Sequence, residues 1–134
     1  MNVPRFISAS LAAGVVLNVL DFVVHGRILS GPFYSRLTSL FRSDAPMAGL
    51  IIGDFVAAVV LVWVYDRVYS SFAGGLKGGT LYGLYAGVLV NFPTWIFFNM
   101  LFVGFPYKLA WIWTIYGIVA SVILGGVAGA IYKK

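Results

Sequence analysis

Four stretches of this chain, residues 6–29, 47–68, 78–103 and 109–132, are apolar over the length that a helix needs to cross the hydrocarbon of a bilayer, about 20 residues. In hydrocarbon every backbone N–H and C=O must find an internal partner, so only helices and closed barrels cross it. The alternation of period two that marks a barrel strand is absent, which leaves helices. Only 10% of the 134 residues are charged, against about 25% in a soluble domain, and the mean hydropathy is +0.97. The expected fold is an all-α membrane protein, a four-transmembrane-helix antiparallel bundle forming a single transmembrane domain over residues 1–134.

The first stretch starts behind one basic residue, Arg5, as a secretory signal would. It runs on past the small residues Ala12, Ala13 and Gly14 and carries Asn18 and Asp21, so it is read as a span. Between the first two spans, Phe33, Leu37, Leu40 and Phe41 recur at helical spacing opposite Arg36, Thr38, Ser39 and Arg42. That pattern predicts a short interfacial helix in the first loop, its apolar face among the headgroups. The second break ends in Gly74-Gly75-Leu76-Lys77-Gly78-Gly79 and reads as a flexible turn. The third, Gly104 to Lys108, is tight enough to force the last two helices into an antiparallel hairpin.

Four spans bring both termini to one face. That face carries Arg5, Arg67, Lys77, Lys133 and Lys134, and the other carries Arg27, Arg36, Arg42 and Lys108. Five cations against four bias the termini toward the cytoplasm, with the bacterial inner membrane as the expected location. The net charge of +5 is thus spread over both faces; it anchors the protein to the bilayer and does not form a nucleic-acid stripe. Tyr65, Tyr69, Trp111, Trp113 and Tyr132 fall near span ends, where aromatic belts form.

Helices in lipid associate where small residues let backbones approach. The third span has Gly79, Gly83 and Gly87 at intervals of four, and the fourth has Gly117, Ser121, Gly125 and Gly129 at the same interval. Both rows are expected to be helix–helix contact surfaces, within one protomer or between two.

The opposite half of the bundle is polar. Asp21 lies about 8 residues before the end of the first span and Asp54 about 7 after the start of the second, which puts both roughly 10–12 Å below one surface at about 1.5 Å per residue. Asn18, Asp21 and His25 share a helical face through their three- and four-residue spacing. The third span sends Asn91, Thr94, Trp95 and Asn99 to the same level, with Pro93 expected to bend it. The fourth adds Trp111, Trp113 and Thr114. A lipid-facing carboxylate costs about 2.5–3.5 kcal/mol on insertion scales. The acids are therefore expected either to be paired (Asp21 with His25 or Arg27, Asp54 with a neighbouring Asn or Thr) or to line a common cavity. Its other walls would be Asn18, His25, Asn91, Trp95, Asn99 and Trp111. Asp21-Phe22-Val23 recurs as Asp54-Phe55-Val56, a faint echo between the first two spans.

Catalytic constellations are thin. Two facing carboxylates have the chemistry of an aspartyl dyad, and Gly53-Asp54 is similar to the Gly-Asp pair of intramembrane aspartyl proteases, but the surrounding motif is missing. Asp21, His25 and Asp54 offer at most two or three ligands to a divalent metal. The lack of cysteine excludes thiolate metal sites, iron–sulfur clusters and thiol nucleophiles. No cofactor is demanded; a single axial imidazole from His25 to haem or a chlorin is the one option left. The glycines around Lys77 lack the context of a phosphate loop, and no nucleophile elbow is present.

The motifs Asn18-Val19-Leu20-Asp21-Phe22, Gly53-Asp54-Phe55 and Val62-Trp63-Val64-Tyr65 resemble those of small uncharacterised bacterial integral membrane proteins with four spans. The resemblance implies the fold and carries no activity or site residues. From the residues, the expected role is non-enzymatic: an accessory or structural subunit of a larger membrane complex, or a small-ligand binder. A small oligomeric transporter or channel using the Asp21/Asp54 half-cavity comes second, and an intramembrane enzyme third. The expected partners are the lipid bilayer and other membrane subunits or further copies of the chain, not nucleic acid.

Overall fold

Asn2 starts the first helix: its side-chain oxygen accepts from the Arg5 N–H at 3.4 Å, and Pro4 sits in the first turn, where its missing donor costs nothing. In the computed structural model, which describes residues 1–42 and 44–134, α1 runs over Val3–Val23. It continues as one π-helical turn over Val24–Ile28, closed by the Leu29 N–H bonding Val24 at 2.8 Å. Helices α2 (Met47–Val68), α3 (Gly75–Leu101) and α4 (Tyr107–Ile131) follow. With their continuations, all four are long and apolar enough to cross a membrane, at 26, 25, 27 and 25 residues. Among the described residues there are no strands.

Boundaries differ from the expected spans. α1 starts three residues early at its Asn cap, and α3 starts at Gly75, so Gly75, Gly78 and Gly79 belong to the helix and Gly74 precedes it. α3 runs through Pro93 and ends at Leu101; Phe102 is extended, and Gly104 takes a φ of +90°, which turns the chain into Pro106 ahead of α4. The expected helix of the first loop amounts to a single 3-10 turn, Tyr34–Arg36. Its apolar residues turn inward instead of lying among headgroups: Phe33, Tyr34, Leu37 and Phe41 pack on Ile96, Phe105, Leu109 and Ala110.

The α3–α4 hairpin is the tightest pair, and the glycine rows explain why. A Cβ built on Gly79 would strike the Gly125 carbonyl, one on Gly83 the Ser121 carbonyl, and one on Gly129 the Gly75 carbonyl. Backbone lies on backbone, within one chain. Gly117 serves differently, leaving room for the Asn91 side chain. α1 packs on α2 and on α4, with Phe55 lying over Gly14.

The end carrying the termini is closed by a core of Ala9, Ala13, Ala58, Val62, Tyr65, Tyr82, Leu124, Ala128 and Tyr132. Tyr65 and Tyr132, expected in an interfacial belt, are fully buried in it, their rings 6.2 Å apart. α2 and α3 meet here through the Tyr82 hydroxyl, which donates to the Leu61 carbonyl at 2.8 Å, and scarcely touch elsewhere. The bundle is thus pinned at one end and splayed at the other.

Candidate functional site

The splayed half encloses a cavity of about 1530 Å³ lined from all four helices. Tyr82, Leu61 and Leu124 form its floor, above the closed core. Val15, Val19, Leu50, Ile51 and Val90 make apolar walls, and Tyr34 of the first loop lies over the far end. Leu50, Ile51, Val60 and Val90 line the cavity and are also exposed on the outer surface, so it opens sideways between α2 and α3, toward lipid.

Of the residues expected around a common cavity, the structure brings together Asn18, Asp21, His25, Asp54, Asn91 and Trp95. Two do not belong. Asn99 lies one turn beyond, and its amide donates to the Phe105 carbonyl at 2.6 Å, fixing the α3–α4 turn. Trp111 is on the lipid side of α4, its ring against Phe92 and Tyr107. Tyr34, Trp113 and Tyr116 take these places. The amides of Asn18 and Asn91 donate back to the Gly14 and Gly87 carbonyls, each at 2.9 Å, and the Asn91 carbonyl oxygen lies against Gly117. Thr94 and Thr114 bond the carbonyls of Val90 and Ala110 in their own helices and line nothing.

At the polar pole the donors form a directed chain. The Trp113 indole N–H donates to the Tyr34 oxygen at 2.8 Å, so the Tyr34 O–H is free to donate to His25 Nδ1 at 2.5 Å. With Nδ1 accepting, the proton of the neutral ring sits on Nε2, which faces Asp21 at 3.9 Å. The Tyr116 hydroxyl also donates to Asp21. The π-helical turn carries His25 into this chain, its ring packed edge-on to Tyr116 with centroids 4.9 Å apart. Burial pushes the Tyr34 phenol above its ordinary range, against the Trp113 N–H, which pulls it down; Tyr34 stays a neutral donor at physiological pH. Of the two expected partners of Asp21, Arg27 instead stacks over Phe22, 5.3 Å from the ring centre.

Asp54 is treated differently. Its carboxyl is partly exposed to the cavity and close enough to Asp21 for the two to interact directly. No tyrosine, indole or Asn donates to it among the described residues, and no Lys or Arg among them lines the cavity. Asp21, His25 and Asp54 do not assemble as three metal ligands among the described residues, and His25 Nδ1 is engaged by the Tyr34 hydroxyl. Tyr34→Phe should strand the Trp113 and His25 partners. It is expected to lower stability by about 1–3 kcal/mol and to shift Trp emission to the red; unchanged melting in detergent would show that the loop does not hold the pole together.

Fold and site define a class: an integral membrane protein of four helices around an internal, laterally open cavity with one polar pole. Comparison with protein-family models, curated proteins and solved structures finds no match for this chain. Function is therefore argued from the cavity alone.

Proposed function

We propose that the protein is a non-enzymatic binder of a lipid-soluble small molecule, which enters from the bilayer between α2 and α3 and sets its polar head among Asn18, Asp21, Asp54 and Asn91. The observation carrying this is the cavity itself: about 1530 Å³ of mostly apolar space, where ligand pockets commonly occupy about 300–1,000 Å³, with a few convergent polar groups at one end. A bundle meant only for structure would fill that space with side chains, as protein interiors are close-packed. The lower half of this same bundle does so, down to backbone contact at Gly79 and Gly125. Lateral entry fits a ligand that partitions into lipid first, and the chain from Trp113 through Tyr34 to His25, with the Tyr116 hydroxyl on Asp21, gives the pole a fixed polarity.

The test uses the protein in phosphatidylcholine nanodiscs and Nile red, a neutral solvatochromic dye, with empty discs as the reference. Saturable dye binding is expected in wild type. Ala86→Phe, which fills the cavity from α3, and Val60→Trp, at the opening on α2, should each weaken it about tenfold or more. Dye binding no stronger than in empty discs, or equal binding by wild type and both filled variants with unchanged melting, would remove the ligand-binding reading.

A further inference from the structure

The pole has an unbalanced charge pattern. Asp21 receives the Tyr116 hydroxyl and faces the His25 N–H, both neutral donors. Asp54, beside it on α2, receives no tyrosine or imidazole donor among the described residues, and no Lys or Arg among them lines the space. Two carboxyls therefore share an apolar enclosure with no cationic side chain, where an uncompensated charge is costly. The walls at this level are aromatic: Trp95, Trp113 and Tyr116 line the same end, and aromatic faces attract organic cations. A hard metal ion would want about six oxygen ligands, which two carboxyls in apolar walls do not supply. An anion would be repelled. Resting on the reading of the cavity as a ligand site, we propose that its ligand is a lipophilic organic cation of the ammonium or phosphonium type, with Asp54 as its counter-ion and Asp21 as the buttressed second acid.

The prediction is tested with tetraphenylphosphonium and its near-isosteric anion tetraphenylborate, titrated onto protein in phosphatidylcholine nanodiscs and corrected by empty discs. The cation is expected to bind saturably and about tenfold or more tighter than the anion. Asp54→Asn keeps shape and should weaken phosphonium binding about tenfold, well beyond any effect on the neutral dye; Asp54→Glu, which keeps the charge, should retain the preference. Should Asp54→Asn lower the melting temperature, Asp54→Glu and the wild-type cation/anion ratio still decide. Tetraphenylborate binding as tight as phosphonium, or phosphonium binding indifferent to Asp54→Asn, overturns the assignment. If Nile red binds and phosphonium does not, only the cation assignment falls; if neither binds, the cavity reading falls with it.

Discussion

Gly83→Leu is expected to break the α3–α4 hairpin. Even a methyl at this position meets the Ser121 carbonyl and comes within 3.0 Å of the Val122 Cα, so the obstacle is backbone on the facing helix and cannot swing aside. Gly125→Leu meets the mirror problem, with Gly83 backbone atoms 2.8 Å from the added carbon and the Gly79 carbonyl nearer still. Overpacking costs about 1–3 kcal/mol where side chains can adjust, and occasionally more; with backbone on both sides, the upper end or beyond is expected. In lipid no hydrophobic force would pull the separated helices back, since the tails solvate them equally well. Leu89→Ile, at a side chain 76% exposed, should melt like wild type. Glycine variants that extract and melt like wild type would show that the rows are not the contact they form here.

What could be read in the sequence, and what could not, follows from how each signal arises. Span length is a solvent requirement, so the four helices are legible from composition alone. The common depth of Asp21 and Asp54 needs only residue counting, and the cavity indeed holds both. Rotation about each helix axis is harder, and there the reading of α4 fails. Trp111 and Trp113 are two positions apart, so about 200° separates them and only one can face inward. The Gly117–Ser121 stripe would have decided it: Trp113 precedes Gly117 by four and lies on that stripe, and Tyr116 is adjacent. Tyr34 had no local signal, because a loop residue's partners, here His25 and Trp113, are set only by how the loop folds back. Asn99 shares a stripe with Asn91 and Trp95 but lies past the cavity's end, where a free Phe105 carbonyl claims its amide. Asp66 carries no such signal, because a charge at a span end is ordinarily solvated; it is the third acid within the helices and only 4% exposed.

That buried acid sets the second large effect. The Tyr132 hydroxyl donates to the Asp66 carboxylate, and the Asn2 backbone N–H donates to the same hydroxyl at 3.2 Å. Around them Arg5 bonds the Ile131 carbonyl and Lys134 the Asp66 carbonyl, at 3.4 and 3.3 Å. One phenol therefore ties the start of α1, the end of α2 and the end of α4 at the closed end of the bundle. Tyr132→Phe removes a single oxygen from a fully buried ring, so packing survives and the loss is electrostatic. Leaving a buried polar group unmet costs about 1–3 kcal/mol, and more when it is charged; about 3 kcal/mol is expected here. Removing both partners should be far cheaper, because no stranded carboxylate remains. In detergent, Tyr132→Phe should thus melt well below wild type, and Asp66→Leu combined with Tyr132→Phe should recover much of that loss. Single and double variants with additive losses would mean that the two side chains act independently and that the closed end is held by its aromatic core alone.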